Sequence, residues 1–247
     1  LGLDVRLVSA VGDDSNGEFL LDRCRSLGMD VSRVRVVPGA RSSSYLYITD
    51  ERGDMQLAVN DMAVCNEISP EYLEGVLPGI QAGALVLDTN LPVESLEFIC
   101  RSSCIPLYAD PVSSVKAMKL RGVMKHLRAI KPNAIEAAAL TGQSDPELAA
   151  RALIDAGVQR VFISLGTNGM IAAEGSRILR LPSPEANVVN ATGAGDAAMS
   201  AIVWADLHGL SLEDSARAAQ LAGAITCASE ASNAPELSRL PGLMAAE

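Results

Sequence analysis

The chain has 247 residues, 49% of them hydrophobic, and a formal net charge of −10 at pH 7. The surplus of acids repels polyanions, which excludes general binding to nucleic acid or to an anionic membrane surface. No apolar run reaches the ~18 residues that span a bilayer and no signal-peptide pattern opens the chain, so a soluble protein without a membrane partner is expected.

Five cysteines (Cys24, Cys65, Cys100, Cys104 and Cys227) form no Cys-x-x-Cys, and only His126 and His208 could join them. That set argues against a zinc site and for reduced thiols in a cytoplasmic setting.

In chain order, residues 5–11 read as a buried strand ended by Gly12-Asp13-Asp14. Residues 16–27 follow as a helix, with Phe19, Leu20 and Leu27 at helical spacing and Gly28 as the stop. Residues 31–37, 43–48 and 55–59 read as strands, the last two joined by the polar turn Asp50-Glu51-Arg52-Gly53-Asp54. This pair is the only part of the chain with an antiparallel look. Beyond it strands at 84–87, 106–109, 129–130, 161–165 and 170–173 alternate with helices at 93–100, 115–126, 133–140, 146–156 and 212–227. Such alternation predicts an α/β fold with a mostly parallel sheet covered on both faces. The length allows one large domain or a domain with a small appendage. Ligands bind such sheets at the carboxyl ends of the strands. Those ends here carry Asp88-Thr89-Asn90, Asp110-Pro111 and Lys131-Pro132-Asn133.

The chemistry centres on Asn190-Ala191-Thr192-Gly193-Ala194-Gly195-Asp196. Residues 187–189 read as a short β segment before it. Met199, Ile202, Val203 and Leu207 recur at helical spacing after it, which places Asp196 in a first helical turn. Two glycines ahead of a helix let several backbone N–H groups point at one spot, where they and the helix dipole attract an anion. A carboxylate beside a phosphate repels it, unless the acid acts on the group that attacks the phosphate. An ordinary helix start with a dipole-stabilising Asp is the other reading of these residues alone. Two more motifs sit on the same edge. Lys131-Pro132-Asn133-x-x-Glu136 opens a helix and puts Glu136 where it can hold a metal ion or simply decorate the helix start. Gly166-Thr167-Asn168-Gly169 is a tight turn for a ligand or for a hairpin.

Taken together, these motifs resemble the ribokinase-like (PfkB-type) carbohydrate kinase family over nearly the whole chain, most specifically at Thr192-Gly193-Ala194-Gly195-Asp196. The resemblance implies a single domain over 1–247, a three-layer α/β sandwich with a small β lid at about 31–60. It also implies that the family's N-terminal strand–helix portion, with its Gly-Gly loop, would precede Leu1. By the same likeness Gly193, Ala194 and Gly195 form an anion hole, and Asp196 is the base that takes a proton from the acceptor hydroxyl. Asn133 and Glu136 would match the magnesium–phosphate region. Gly166, Thr167, Gly169, Thr192, Gly223 and Asn233 would match the ATP site, with Thr226 also near the adenine.

Ser43-Ser44-Tyr45-Leu46, Gly53-Asp54-Met55, Ala58-Val59-Asn60-Asp61-Met62 and Ala109-Asp110-Pro111-Val112-Ser113 with Lys116 look most like the family's pseudouridine-kinase branch. Ser44, Asn60, Asp61 and Lys116 would then be substrate contacts, with pseudouridine as acceptor and ATP and Mg2+ as cofactors. A monovalent cation such as K+ would lie near Asn190, where the family usually has Asp, and the lid could pair two copies into a homodimer. The alternatives are another sugar or nucleoside substrate on the same fold, or a non-catalytic ligand-binding relative. An oxidoreductase is disfavoured because no Gly-x-Gly-x-x-Gly follows an early strand, and no P-loop motif occurs.

Overall fold

Residues 1–49 and 55–245 are described by a computed structural model, in which the chain separates into two units. One comprises residues 4–80 and 90–99, the other residues 1–3, 81–89 and 100 onward.

In the first unit β1 (Arg6–Gly12) and β2 (Asp30–Val37) pair in parallel through the crossover helix α1 (Ser15–Ser26). Asp14 caps α1 by accepting from the Gly17 N–H at 2.8 Å, and also accepts from the N–H and hydroxyl of Ser42 at 2.9 and 2.6 Å. The chain crosses so closely here that a Cβ on Gly12 would stand 2.3 Å from the Ala40 carbonyl oxygen. From this knot run β3 (Ser44–Thr49) and β4 (Met55–Asp61), a separate antiparallel pair as the alternation predicts. The turn Asp50-Glu51-Arg52-Gly53-Asp54 lies outside the described residues. Leu46 stands opposite Val59 and Ile48 opposite Leu57, so all four share one face. Each is exposed. Helix α2 (Pro70–Val76) follows, capped by Ser69; its seven residues are too few for helical periodicity to reveal it.

The second unit is built on a sheet of order β10-β9-β8-β7-β6-β5. Strands β5 (Leu85–Asp88), β6 (Leu107–Asp110), β7 (Leu127–Ile130) and β8 (Arg160–Ser164) are parallel, whereas β9 (Met170–Glu174) and β10 (Arg177–Leu181) run antiparallel. Antiparallel pairing is therefore not confined to the β3–β4 segment. Helix α3 (Val93–Ser102) is divided between the units at Cys100, and around the sheet lie α4 (Ser114–Ala117), α5 (Ala134–Thr141), α6 (Pro146–Asp155), α7 (Ala194–Leu207), α8 (Leu212–Cys227) and α9 (Leu240–Ala245).

Two further sequence expectations fail. The helix expected over 115–126 breaks into α4 and two 3-10 turns at Met118–Leu120 and Met124–His126, with Gly122 between them, a residue that disfavours helix interiors. Residues 187–189 form no strand. The N–H groups of Val189 and Asn190 both bond the carbonyl of Cys227 at the end of α8.

Side-chain alternation along the strands explains the layering. Phe162, Met170 and Ala172 pack with Met199, Ile202 and Val203 of α7 and Ala216 and Ala219 of α8. Val161, Ile163, Ile171 and Ala173 point the opposite way and are also fully buried, so both faces of the sheet are covered. Far from Asp196, the other end of α7 is clamped. Asp206 accepts from Arg128 Nη2 at 2.6 Å, from Arg160 Nη1 at 3.0 Å and from the buried Tyr108 hydroxyl. Burial pushes the Asp206 carboxyl up, but the bonds from Arg128 and Tyr108 and the two arginine charges outweigh it and hold the group low. Among the described residues no helix is long and apolar enough to cross a membrane.

Candidate active site

The carboxyl ends of β6, β7 and β8 are drawn level by backbone bonds. Lys131 N–H donates to Ala109 O at 3.1 Å and Ser164 N–H to Pro132 O at 3.0 Å. Asp110, Lys131 and Asn133 therefore emerge on one edge of the sheet. Lys131 is 5% exposed and its Nζ lies 3.1 Å from Asp110 Oδ2. A Cβ added to Gly195 would stand 3.4 Å from that same Nζ, so the ammonium lies against the first turn of α7.

Gly193 caps α7 in the left-handed region at φ 87°, with no side chain to cap the helix. A Cβ there would come within 2.2 Å of Ser232 O, so the position is closed to any other residue. With Ala197 N–H already bonded to Gly193 O, the N–H groups of Gly195 and Asp196 have no carbonyl within the helix. The loop ahead of them is shaped by Asn190, whose Oδ1 accepts from Thr192 N–H at 2.9 Å and whose Nδ2 donates to Glu230 O at 3.1 Å.

Asp196 is open to solvent on one side, yet the protein crowds its carboxyl. Desolvation raises its pKa, the charges of Asp110 and Asp88 raise it further, and Lys131 alone opposes them. Glu136 is buried and shifted the same way, first by desolvation and then by Asp110, against the Asn133 backbone bond and Lys131. Four acids (Asp88, Asp110, Glu136 and Asp196) thus share one field with one buried ammonium. A bound cation would relieve that surplus of negative charge.

Asn133 and Glu136 form a reciprocal capping box. Glu136 Oε2 accepts from Asn133 N–H and Asn133 Oδ1 from Glu136 N–H, both at 2.9 Å. Among the described residues no three His, Cys, Asp or Glu side chains converge as a metal cage. Because Asn133 and Glu136 each spend an oxygen on the other's N–H, they suit an ion that keeps its water and rests on phosphate oxygens, the habit of Mg2+.

Gly166–Asn168 is a 3-10 turn joining β8 to β9. It is thus a hairpin connection, and Gly169 (φ 92°) is required because a Cβ would meet Leu181 O at 1.9 Å. Gly166 and Thr167 are exposed at its tip. Gly223, on α8, faces Ala194 O at 3.7 Å from an added Cβ. Asn233 is exposed, whereas Thr226 is buried with its hydroxyl bonded back to Ala222 O, so it presents nothing to a ligand. Lys116 lies in the short α4 behind Ser113.

On the other unit, Ser44 is directly opposite Asp61 and Tyr45 opposite Asn60. Asn60 therefore faces the other way from Ser44 and Asp61. Sequence reasoning gave no role to Asp110 or Lys131. Their signal was positional, each being a polar residue at or just past the carboxyl end of a strand.

A pfkB family carbohydrate kinase model matches residues 1–239. The chain is 35% identical to the pseudouridine kinase of Escherichia coli K12, over 96% of this chain and 79% of that one. It is 36% identical to an uncharacterized sugar kinase of the same organism, over 96% of this chain and 68% of the other. A crystal structure from E. coli in complex with ATP and Mg2+ superposes with a TM-score of 0.85 at 19% identity, covering 100% of this chain and 85% of that one. The expected ribokinase-like α/β fold is the one observed, and its mostly parallel sheet carries the matching motifs at its carboxyl edge. The chain belongs to the pfkB family of carbohydrate kinases, phosphotransferases that act on an alcohol group.

Proposed function

We propose that the protein transfers the γ-phosphate of ATP to the 5′-hydroxyl of pseudouridine. The observation that carries the reading is Asp196 beside the unbonded N–H groups of the α7 first turn, with the Lys131 ammonium against Gly195. In this reading the N–H groups of Gly195 and Asp196 hold the oxygens of the moving phosphoryl group, with Gly193 and Ala194, whose own N–H is turned back to Ala191 O at 3.3 Å, making the turn that exposes them. Asp196 orients the acceptor hydroxyl and takes its proton late, as suits a loose phosphoryl-transfer transition state.

Gly166, Thr167, Gly169, Thr192, Gly223 and Asn233 are assigned to the nucleotide. Asn133 and Glu136 are assigned to the water shell of Mg2+, which supplies charge neutralisation on the phosphates. Lys116, Ser44, Asn60 and Asp61 are assigned to the acceptor. Because Asn60 and Asp61 face opposite ways, alanine at each position separates the two faces of β3–β4 by which one raises the acceptor KM.

Pseudouridine is favoured over other acceptors by the likeness to pseudouridine kinase; the equal likeness to a sugar kinase makes a simple sugar the competing substrate. A coupled assay with ATP and pseudouridine, ribose, uridine and adenosine tests this. Preference for pseudouridine supports the reading, and preference for ribose replaces it with the sugar kinase.

The exposed aliphatic face of Leu46, Ile48, Leu57 and Val59 is assigned to a second copy of the chain. Sedimentation of a Leu46→Lys variant as monomer against a wild-type dimer supports that assignment. The cysteines, all free, suit a reducing cytoplasm.

A further inference from the structure

Val112 is the only non-glycine with positive φ among the described residues, at 63°. A β-branched side chain in that region is a steric outlier. Ser113 N–H donates to Pro111 O at 2.6 Å, an i to i+2 bond that makes Val112 the centre of the strained, positive-φ form of γ-turn.

The surroundings enforce this turn. Asp110 Oδ1 accepts from Val112 N–H at 3.0 Å while its other oxygen holds Lys131. The fully buried Thr89 donates its hydroxyl to Pro111 O, and Lys119 Nζ fixes Thr89 O at 2.9 Å. Three elements thus hold one residue in a conformation that glycine or asparagine would adopt at little cost. Yet the side chain kept there is apolar and 43% exposed. It gains little from the core for the strain it bears. Strain of this kind, over-determined by its neighbours, gathers where a ligand is gripped.

We infer that Val112 is a specificity-determining contact for the acceptor, its isopropyl group presented to the carbon face of the acceptor's ring beside Asp196. The inference rests on the kinase reading above but not on pseudouridine as the acceptor. The Asp110 carboxylate that locks Val112 also acts on Asp196, so one group sets both the contact and the field around the base.

The test compares Val112→Gly and Val112→Asn with wild type in the intact chain, reading melting temperature, acceptor KM and ATP KM. Both variants should melt no lower than wild type, because each relieves the turn. Both should raise the acceptor KM by about tenfold, the loss of one buried branched aliphatic contact, and leave the ATP KM unchanged. The variant-to-wild-type ratio is taken on whichever alcohol wild type turns over fastest, so a wrong acceptor assignment fails separately. An unchanged acceptor KM in Val112→Gly, or a change in ATP KM alone, overturns the inference. A wild type that binds no alcohol acceptor by calorimetry overturns it together with the kinase reading.

Discussion

Lys131 Nζ bonds Asp110 Oδ2 at 3.1 Å beneath the start of α7 and is 3.4 Å from where Gly195 would carry a Cβ. This pair, a buried ammonium and a partly buried carboxylate, is the electrostatic floor of the candidate site. Its two halves pull Asp196 in opposite directions.

The consequence is a pair of opposed pH profiles. The proposed base has to be a carboxylate to accept a proton, so turnover should fall as pH drops through the raised pKa of Asp196. Removing the Lys131 charge in Lys131→Met raises that pKa further and moves the acid limb of kcat to higher pH. Asp110→Asn removes a carboxylate that raises it and moves the limb to lower pH. Rate profiles of the two variants check this; shifts in the same direction would show that the pair does not act on Asp196.

Asp196→Asn keeps the shape and removes the proposed proton acceptor. Turnover should drop between about a hundredfold and ten-thousandfold, the usual contribution of a positioned base, while ATP affinity by calorimetry stays within a few-fold. Near-normal turnover would refute the base assignment.

Gly193→Ala probes the turn. It places a Cβ 2.2 Å from Ser232 O at a φ of 87°, and the combined overlap and backbone strain should cost on the order of 3 kcal/mol. A chemical denaturation curve reads the loss directly. Gly223→Ala is the control, since its Cβ would meet Ala194 O at an ordinary 3.7 Å and stability should change little.

Asn190 links Thr192 and Glu230 with its own amide. Wild-type turnover should therefore be the same in potassium and sodium salts. Asn190→Asp would face a carboxylate to the Glu230 carbonyl, two acceptors with no proton between them, and so create a need for a cation. Rates of the variant should rise with added potassium, and a flat response in both proteins would count against this view of the loop.

The glycine loop was legible because its chemistry is local. Gly193, Gly195 and Asp196 lie within four residues, and the helical spacing after them fixes where the helix begins. The parallel strands were legible for the same reason, as short apolar runs ended by polar residues. Long-range partners were not. Nothing near Asp110 in sequence announces Lys131, because their meeting depends on the register of β6 against β7. The β8–β9 hairpin was weighed at Gly166–Gly169, but β10 was missed, since Arg177 and Arg180 interrupt its apolar residues. Residues 187–189 looked like a strand because Val188 and Val189 favour one, and tertiary bonds to Cys227 overrode that preference.

The clamp on Asp206 has a reach beyond its own surroundings. Ten residues of α7 separate it from Asp196, about 15 Å of stiff rod. If losing the arginine grip let the rod pivot by roughly four degrees, its opposite tip would swing on the order of 1 Å, enough to cost about a hundredfold in rate. Sequence drift at Arg128, Arg160 or Tyr108 would then surface as impaired catalysis in a protein whose reacting groups are all intact.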